Sequence, residues 1–524
     1  MKHLSYTLLI SITMYLPLSA QEVTYARDIA PVIYQHCTSC HRSGEIAPFP
    51  LTNYNEVSNY GPFIRHVTSI RYMPPWKPER GIRHYQKENY LTDEQIALIG
   101  NWVDQGMKYG DLADEPELPE FPEGSQVGTP DLVVSFAQSY VHKGTGIDEY
   151  RYFVIPTHLT EDRYLTALEI RPGNKKIVHH TLVWADSTGE SKALDDATPE
   201  YGYEGNSGAA ASNLNNQLPG YVPGQKPIVY TDGLAIRIPK GSDLLLQMHY
   251  APSFSDESDS TSINLFFSKE PPTRAVQSFV MVPLPQIINE LFIIPANQVK
   301  TFHGKIPIPA KTTLLGLAPH SHLLGKNWDI FAVRPGNDTV RLMKINEWDF
   351  NWQGSYSFVR PVILPAGSEL HAIATYDNTT SNVNNPNDPP KLVSWGEKTS
   401  DEMYYLPLIY MNYQPGDENL VFDDESLSIA RPEKEDDGTV LYPVYPNPAS
   451  DETNVYFTLH KTEKISIRIF DQSGRLVEEK YRNRLFASGQ HICRINTAGY
   501  SNGFYTVTLD NGQNKLTQKF IIAK

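Results

Sequence analysis

The chain contains 524 residues, of which 40% are hydrophobic and 20% are charged, so its length predicts several globular domains with cores of their own. Its formal net charge of −15 excludes nucleic acid as a partner, because a chain this acidic has nothing to neutralise a phosphate backbone. The 31 Tyr, 40 Pro and 33 Gly favour β-rich, turn-rich structure over a helical bundle.

The first 20 residues predict a secretory signal. Lys2 and His3 form a short basic start before an apolar stretch that closes on the small residues Ser19 and Ala20. That stretch is too short and too interrupted to predict a membrane span, and no later segment offers about 18 uninterrupted apolar residues. We therefore expect a secreted or cell-surface protein, exported through the periplasm, with no transmembrane segment in the mature chain.

Breaks in composition predict the domain organisation. One stretch rich in Pro, Glu and Gly and a second, charged stretch are typical of linkers, and a softer break separates two β-rich regions of similar size. The expected divisions are a signal peptide over 1–20, a helical domain over 21–112, a linker over 113–130, β-rich domains over 131–272 and 273–428, a linker over 429–440 and a β-rich domain over 441–524.

Hydrophobic periodicity supports these divisions. Before the first linker, apolar residues recur at helical spacing, and Thr92 with Gln95 predicts a capping box that opens a helix ending near Gly106. Between the linkers the pattern changes to short alternating strands, such as residues 244–250. Near the C-terminus, Asp510-Asn511-Gly512 predicts a hairpin turn between two further strands.

Two of the three cysteines stand together in Cys37-Thr-Ser-Cys40-His41. Three cysteines are too few for a disulfide framework, so this pair predicts chemistry. Thiols at this spacing can form thioethers to the two vinyl groups of haem, while His41 supplies an axial ligand to the iron. A zinc site needs a second pair of ligands, which this region lacks. A thioredoxin-like pair should follow a strand and open a helix in a βαβ context, whereas this pair follows a short helix. One covalently bound haem c is therefore predicted.

The second axial ligand of that haem has two candidates. Met73 precedes two prolines that would hold it on a rigid loop, and a thioether ligand raises the haem potential. His66 is the alternative, in which case Met73 only packs against the haem edge. The stretch 24–108 resembles small class I cytochrome c domains, both in its CxxCH after an N-terminal helix and in its Met-Pro loop before a C-terminal helix.

Four short motifs between the linkers contain candidate metal ligands. They are Ile-Val-His179-His180-Thr, Leu-Gln-Met-His249-Tyr, Ala-Pro-His320-Ser-His322 and Ser-Asp-Glu-Met403. Residues i and i+2 of a strand project from the same face, so His320 and His322 can bind one metal. Adjacent histidines point to opposite faces of a regular strand, so His179 and His180 can share a metal only at a strand end or a bulge.

The order of these motifs resembles that of the copper type II, ascorbate-dependent monooxygenases, which include peptidylglycine α-hydroxylating monooxygenase and dopamine β-monooxygenase. The resemblance covers residues 131–425 and implies two tandem antiparallel β-sandwiches that hold two copper ions. By this resemblance His179, His180 and His249 hold an electron-transferring copper. His320, His322 and Met403 hold the copper where O2 binds and a substrate C–H bond is cut. Imidazole suits both oxidation states of copper, and a thioether favours Cu(I).

The chain departs from that family at the substrate site. The peptide-processing enzyme has an arginine two residues before the first histidine of HxH, which grips the substrate carboxylate, and the position here is Ala318. A tyrosine four residues after the methionine also helps to hold that substrate, and the position here is Pro407. The family's core disulfides are absent as well, because residues 131–425 contain no cysteine. Glycine-extended peptides are therefore not the expected substrates.

The C-terminal β-rich domain opens on Tyr442-Pro-Val-Tyr-Pro-Asn-Pro-Ala449 and contains Gly503-Phe-Tyr-Thr-Val507. It resembles the C-terminal sorting domain of the type IX secretion system, which implies the secretion machinery as a partner. Such domains are usually cleaved after export, and after such a cleavage Cys493 is absent from the mature protein. A carbohydrate-binding or generic β-sandwich accessory is the alternative.

The fold class expected from these features is a multidomain, mainly β protein, in which a small α-helical domain precedes two tandem β-sandwiches and a small sorting domain. The expected function is a copper monooxygenase that hydroxylates a C–H bond of a small-molecule or peptide substrate with O2. Its electrons come from an external donor through the fused haem. The alternative is a non-catalytic surface electron-transfer or copper-binding protein. Oxygen-dependent formation of a hydroxylated product distinguishes the two.

Overall fold

The computed structural model describes residues 22–121, 124–205, 217–230, 233–422, 433–434, 439–442, 444, 447, 449–471, 475–512 and 515–522. The predicted signal peptide lies outside the described residues, as do most of the 429–440 linker and part of the sorting-domain opening. The chain forms two compact units: Met1–Arg83, Asn89–Ser357 and Pro361–Asn419 make the first, and His84–Glu88, Phe358–Arg360 and Leu420–Lys524 make the second.

The first unit begins with a small helical domain. Its α-helices are α1 (Ala30–His36), α2 (Tyr54–Asn59), α3 (Gly61–Ser69) and α4 (Asp93–Asp104), and a π-helical turn, Tyr25–Ile29, precedes α1. Ile33, Ile99 and Trp102 are buried in its core. The predicted capping box is confirmed, because the Gln95 amide donates to Thr92 Oγ1 at 3.2 Å and the Thr92 amide donates to Gln95 Oε1 at 2.8 Å.

A β-sandwich follows the helical domain in the first unit. Its elements are β1 (Leu132–Ser135), β2 (Tyr140–His142), β3 (Glu149–Pro156), β4 (Arg163–Arg171), β5 (Val178–Asp186), α5 (Glu190–Asp196), β6 (Gln217–Tyr221), β7 (Leu234–Ile238), β8 (Asp243–Tyr250), β9 (Glu257–Asp259), β10 (Ser262–Phe267) and β11 (Arg274–Ala275). Its two sheets have the orders β1-β10-β4-β7-β11 and β3-β8-β5-β6. One buried cluster with residues from both sheets, among them Leu168 and Leu246, shows that the sheets pack face to face.

Strand β8 corrects one expectation. The alternating pattern expected for residues 244–250 would leave one face open, yet Leu244 to Tyr250 are all buried. Leu246 and Met248 enter the core between the sheets, while Leu245 packs with Tyr152 and Trp184 on the opposite face. The half-exposed pattern is wrong here because β8 is a central strand that is covered on both sides.

A second β-sandwich completes the first unit. Its elements are β12 (Gln277–Met281), α6 (Pro283–Gln286), β13 (Ile293–Ile294), β14 (Val299–Ile308), β15 (Thr312–Leu317), β16 (Gly325–Arg334), β17 (Asp338–Ile345), β18 (Tyr356–Leu364), β19 (Ser368–Asp377), β20 (Val393–Ser394) and β21 (Leu406–Asn412). The main sheets have the orders β12-β21-β15-β18 and β14-β19-β16-β17. Buried Tyr404 donates to the Ala372 carbonyl at 2.7 Å, which ties the chain just before β21 to β19 of the other sheet.

The C-terminal region is a separate pair of four-stranded sheets. Its strands are β22 (Glu433–Lys434), β23 (Val440–Leu441), β24 (Glu452–Leu459), β25 (Glu463–Asp471), β26 (Leu476–Phe486), β27 (Gly489–Asn496), β28 (Gly503–Asp510) and β29 (Lys515–Ile522). The predicted hairpin is confirmed, since Asp510 pairs with Lys515 in an antiparallel ladder. Cys493 is buried in this core with Ile467 and Phe520.

The predicted fold class is confirmed: the protein is multidomain and mainly β, with its α-helices concentrated near the N-terminus. Within the described ranges, none of the helices has the length and apolar character needed to cross a membrane.

Candidate functional site

Three histidines converge where β5 meets β8. The register of this pair runs from Val178 opposite Tyr250 to His180 opposite His249, so His179 is the extra residue of a β-bulge. His180 Nδ1 lies 3.2 Å from His179 Nδ1 and 3.3 Å from His249 Nδ1. The bulge is the irregularity that two adjacent histidines need in order to face one point, and the three side chains are grouped closely enough to hold one metal ion.

A second set of potential ligands comes from the second sandwich. His320 pairs with Tyr405, because the His320 amide donates to the Tyr405 carbonyl at 2.8 Å and the Tyr405 amide donates back at 3.2 Å. His322 and Met403 lie two residues from this isolated antiparallel bridge, one on each of the two segments. His322 and Met403 are both buried, at 0% and 8% exposure.

Glu402 fixes the backbone of this second set, although sequence reasoning missed it. Its Oε1 accepts hydrogen bonds from the amides of His322 and Met403, the latter at 2.7 Å, and its Oε2 accepts from the Leu324 amide at 3.0 Å. The side chain is fully buried, and this burial raises its pKa to about 8, although the backbone donors act in the opposite direction. One carboxyl group thus joins the two chain segments that carry His322 and Met403.

Glu402→Gln is expected to lower the free energy of unfolding by about 1–3 kcal/mol, because one oxygen becomes an NH2 group facing a buried backbone donor. Chemical denaturation of the full chain, followed by tryptophan fluorescence, measures the change. Glu270→Gln, at an exposed position, is the matched control and should leave stability unaltered. Equal stability of the two variants would show that the Glu402 contacts contribute nothing.

The imidazoles of both sets are neutral at pH 7, as metal ligation requires. Burial lowers the pKa of His179 to about 3 and the pKa of His322 to about 4. Burial also lowers the pKa of His249, and it holds the pKa values of His180 and His320 well below the usual range. Neighbouring histidines add to the effect on His180 and His320, so all five rings offer lone pairs.

A hydrogen bond orients one of these rings, and a carboxylate lies close to a second. His322 Nδ1 donates to the Asp401 carbonyl at 3.2 Å, which leaves its buried Nε2 without a partner in the described part of the chain. His249 Nε2 lies 3.3 Å from Asp148 Oδ2, so its Nδ1 is the nitrogen that faces His180. A buried, unpartnered imidazole nitrogen is costly in a protein but suits a metal ligand, and an outer carboxylate or carbonyl partner is usual for metal-bound histidine. The residues present therefore fit the copper ions implied by the sequence.

The two sets lie side by side within the first unit. The ring centroids of His180 and His320 are 5.6 Å apart. Tyr150 stacks on His249 at 4.1 Å, and Phe350 stacks on His179 at 5.2 Å while meeting His322 edge-on at 5.9 Å. Residues from separate sandwiches therefore form one largely buried cluster, with aromatic rings packed between the two sets.

Asp148 also links the sandwiches, and its role was not visible in the sequence. Besides facing His249, its carboxylate accepts a hydrogen bond from the Thr399 hydroxyl, which lies four residues before Met403. The Tyr150 hydroxyl is 2.9 Å from the same Thr399 hydroxyl. The loop that leads to Met403 is thereby tied to the strand that stacks on His249. A lone Asp before a strand carries no local signal of such a contact.

The Cys37-x-x-Cys40-His41 segment follows α1 in the helical domain. Both cysteines are free thiols, and burial raises the pKa of Cys37 to about 12. His41 Nδ1 donates to the Phe49 carbonyl at 3.0 Å, which leaves Nε2 available as an axial ligand. Two reduced thiols beside an imidazole oriented in this way fit the predicted haem c.

The candidates for the second axial position differ in exposure. Met73 is half-buried and lines a cavity of about 190 Å³ together with Trp76, Tyr90 and Ile96. His66 is exposed on α3. Met73 as the sixth ligand stays a prediction, because Cys37, Cys40 and His41 are not among the residues that line this cavity.

The segment that contains Cys40 lies against the first sandwich. A Cβ atom on Gly224 would lie 2.8 Å from Cys40 Sγ, so only a glycine permits this approach, and its φ of +77° also favours glycine. Lys175 pairs with Glu45 at 2.7 Å in the same region. Gly224 follows β6, whose Tyr221 pairs with Thr181, the residue next to His180. The Cys40 segment thus contacts the turn after β6, and β6 pairs with β5, the strand that carries His179 and His180.

A cavity of about 630 Å³ opens onto both histidine sets. His180 of the first set and His320 of the second lie in its wall, and so do Ala318 and Pro407, the two positions at which the chain departs from the peptide-processing enzyme. A space of this size is typical of a small-molecule site.

Comparison with known proteins identifies two parts of the chain. Residues 286–422 match the model of the copper type II ascorbate-dependent monooxygenase C-terminal domain, and residues 443–523 match that of the secretion system C-terminal sorting domain. No curated protein matches the chain.

Solved structures similar to the chain include those of β-glucuronidase from Ruminococcus gnavus, both alone and in complex with uronic isofagomine or D-glucuronic acid. Each is 11% identical, covers 48% of this chain and has a TM-score of 0.13, a likeness that carries no conclusion about activity. The chain spans 44–46% of the length of these proteins. The two family matches show that this protein carries a copper type II monooxygenase C-terminal domain followed by a type IX secretion sorting domain.

Proposed function

We propose that the protein is a copper-dependent monooxygenase that hydroxylates a C–H bond of an organic substrate with O2, using electrons supplied through a fused c-type haem. The observation that carries the proposal is the convergence of three imidazoles, of which His180 lies beside His320 of the second set and lines the same cavity. The family match over residues 286–422 includes the whole second set and supports the same chemistry.

Each set has the donors that copper prefers. His179, His180 and His249 would hold one ion, and His320, His322 and Met403 would hold the other, where a thioether favours the Cu(I) state. When bound, the two copper ions supply one-electron transfer and the activation of O2. Other residues of the chain fix the positions of the ligands. Asp148 orients His249, the Asp401 carbonyl orients His322 and Glu402 positions Met403.

The surroundings of the ligands restrict water. Tyr150 and Phe350 pack between the two histidine sets, and His180, His249 and His322 are at most 4% exposed. The cavity beside His320 supplies the space in which a substrate C–H bond would approach the second set. Exclusion of water from such a site protects reactive species from side reactions.

The haem part of the proposal rests on the helical domain. Cys37 and Cys40 would bind the haem covalently, with His41 and Met73 as axial ligands. Support comes from the oriented His41 ring and from the contact between Cys40 and Gly224, three residues beyond a strand that pairs with the His180 strand. An external donor would reduce the haem. The sorting domain indicates a secreted or cell-surface protein, which gives that donor access.

The test is a product screen in 18O2 with the purified, copper-loaded full chain. We expect one 18O atom in a hydroxylated product, and we expect Met403→Ala to lower its formation by at least about 100-fold. Met411→Ala is the matched control, because Met411 is equally buried in β21 but lies outside the ligand sets. Copper binding without labelled product from any substrate would instead support a non-catalytic electron-transfer or copper-binding protein, which Ala318 and Pro407 also favour.

A further inference from the structure

The cavity beside the two histidine sets has a wall of distinct chemistry. Tyrosines and glutamines recur among its lining residues, drawn from both sandwiches. Gln217 lies at the start of β6 in the first sandwich, and Gln277 lies at the start of β12 in the second. A ligand in this space therefore meets amide and phenol groups from two sides.

Two tyrosine–glutamine pairs define what these groups offer to a ligand. The Tyr405 hydroxyl donates to Gln217 Oε1 at 3.0 Å, and the Tyr410 hydroxyl donates to Gln277 Oε1 at 3.4 Å. Each bond uses the amide oxygen, so the NH2 group of each glutamine remains as its donor. The two glutamines thus bring hydrogen-bond donors to the cavity wall, which suit hydroxyl, ether or carbonyl oxygens.

Charge is nearly absent from the same wall. Among the lining residues that the structure describes, Arg237 is the one permanently charged side chain, and Asp162 neutralises it at 2.7 Å. Away from the copper ligands His180 and His320, a carboxylate or ammonium group would have to give up its hydration without an opposite charge, which is costly.

We propose that this cavity binds an uncharged organic molecule, whose oxygen atoms accept hydrogen bonds from the amide groups of Gln217 and Gln277. The proposal rests on the proposed monooxygenase function, because the cavity wall includes His180 and His320, and it names the substrate class of that site. Ala318 contributes a methyl group to the wall, so a cationic anchor for a carboxylate is missing at this position, two residues before His320.

The test uses three probes of similar shape and different charge: 4-hydroxyphenylacetamide, 4-hydroxyphenylacetate and tyramine. Isothermal titration of the copper-loaded full chain without O2 should show the neutral amide binding at least about tenfold more tightly than either charged probe. Gln217→Leu and Gln277→Leu should each weaken amide binding by about threefold to tenfold. Gln138→Leu, at an exposed position outside the cavity, should have no effect.

Ala318→Arg tests the proposal by adding a positive charge to the cavity wall, whereas the leucine variants remove a hydrogen-bond donor. It should tighten binding of the acetate probe and weaken that of tyramine. The proposal is overturned if no probe binds, if a charged probe binds the unmodified protein as tightly as the amide, or if both leucine variants bind the amide normally. Binding of the amide without 18O-labelled product from any substrate overturns the monooxygenase function and keeps the ligand class. Labelled product made preferentially from a charged probe overturns the ligand class and keeps the monooxygenase function.

Discussion

Replacing Cys37 and Cys40 together by alanine is expected to abolish covalent haem attachment completely. The two thiols are unpaired in the structure, and His41, which directly follows them, has its ring oriented by the Phe49 carbonyl. Without the sulfur atoms no thioether can form, and any haem that remains is held by axial ligation alone. Haem staining after denaturing electrophoresis, and the absorption spectrum of the pyridine complex, measure covalent attachment.

Cys493→Ala is the matched control, because that thiol is buried in the C-terminal domain and is expected to have no part in haem binding. It should retain full staining. Unmodified protein that carries no haem, after expression with the haem-attachment machinery, would contradict the prediction. In that case formation of a disulfide between Cys37 and Cys40 would support the redox-pair alternative.

The features that the sequence predicted best are those set by neighbours along the chain. The Thr92–Gln95 capping box and the 510–512 hairpin depend on residues a few positions apart, and both form as expected. The requirement for an irregularity at His179 was also derivable, since two adjacent side chains cannot share a strand face. The bulge that satisfies this requirement forms where β5 pairs with β8, and His249 of β8 lies nearly 70 residues after His180.

The features that escaped prediction depend on contacts between distant segments. Asp148 faces His249 and Thr399, and neither contact leaves a periodic or spacing signal near residue 148. Glu402 was seen only as part of a motif, whereas its three backbone contacts to two segments give it a structural role. The burial of both faces of β8 likewise depends on distant residues, since Tyr152, Trp184 and Tyr203 pack on Leu245 at the face opposite the core between the sheets.

His249→Ala is expected to disconnect the predicted haem from O2 while leaving the haem itself intact. His249 supplies one of three converging Nδ1 atoms and lies at 2% exposure, so its loss removes one of the three nitrogen ligands of the first ion. The first copper should then be lost or bound at least about 100-fold more weakly. When pre-reduced protein is mixed with O2 and substrate, oxidation of the haem, followed by its absorbance, should slow by at least a similar factor.

His303→Ala is the control for that experiment, because His303 lies on β14, where its ring is 2.8 Å from His371 and not in either ligand set. It should leave haem oxidation unchanged. The position of Cys40 against Gly224 gives the physical reason for the expected coupling, since the turn after β6 connects the haem segment to the strand paired with the His180 strand. Rapid haem oxidation in His249→Ala would mean that electrons leave the haem by another path. The fused helical domain would then serve a reaction other than the one at the histidine sets.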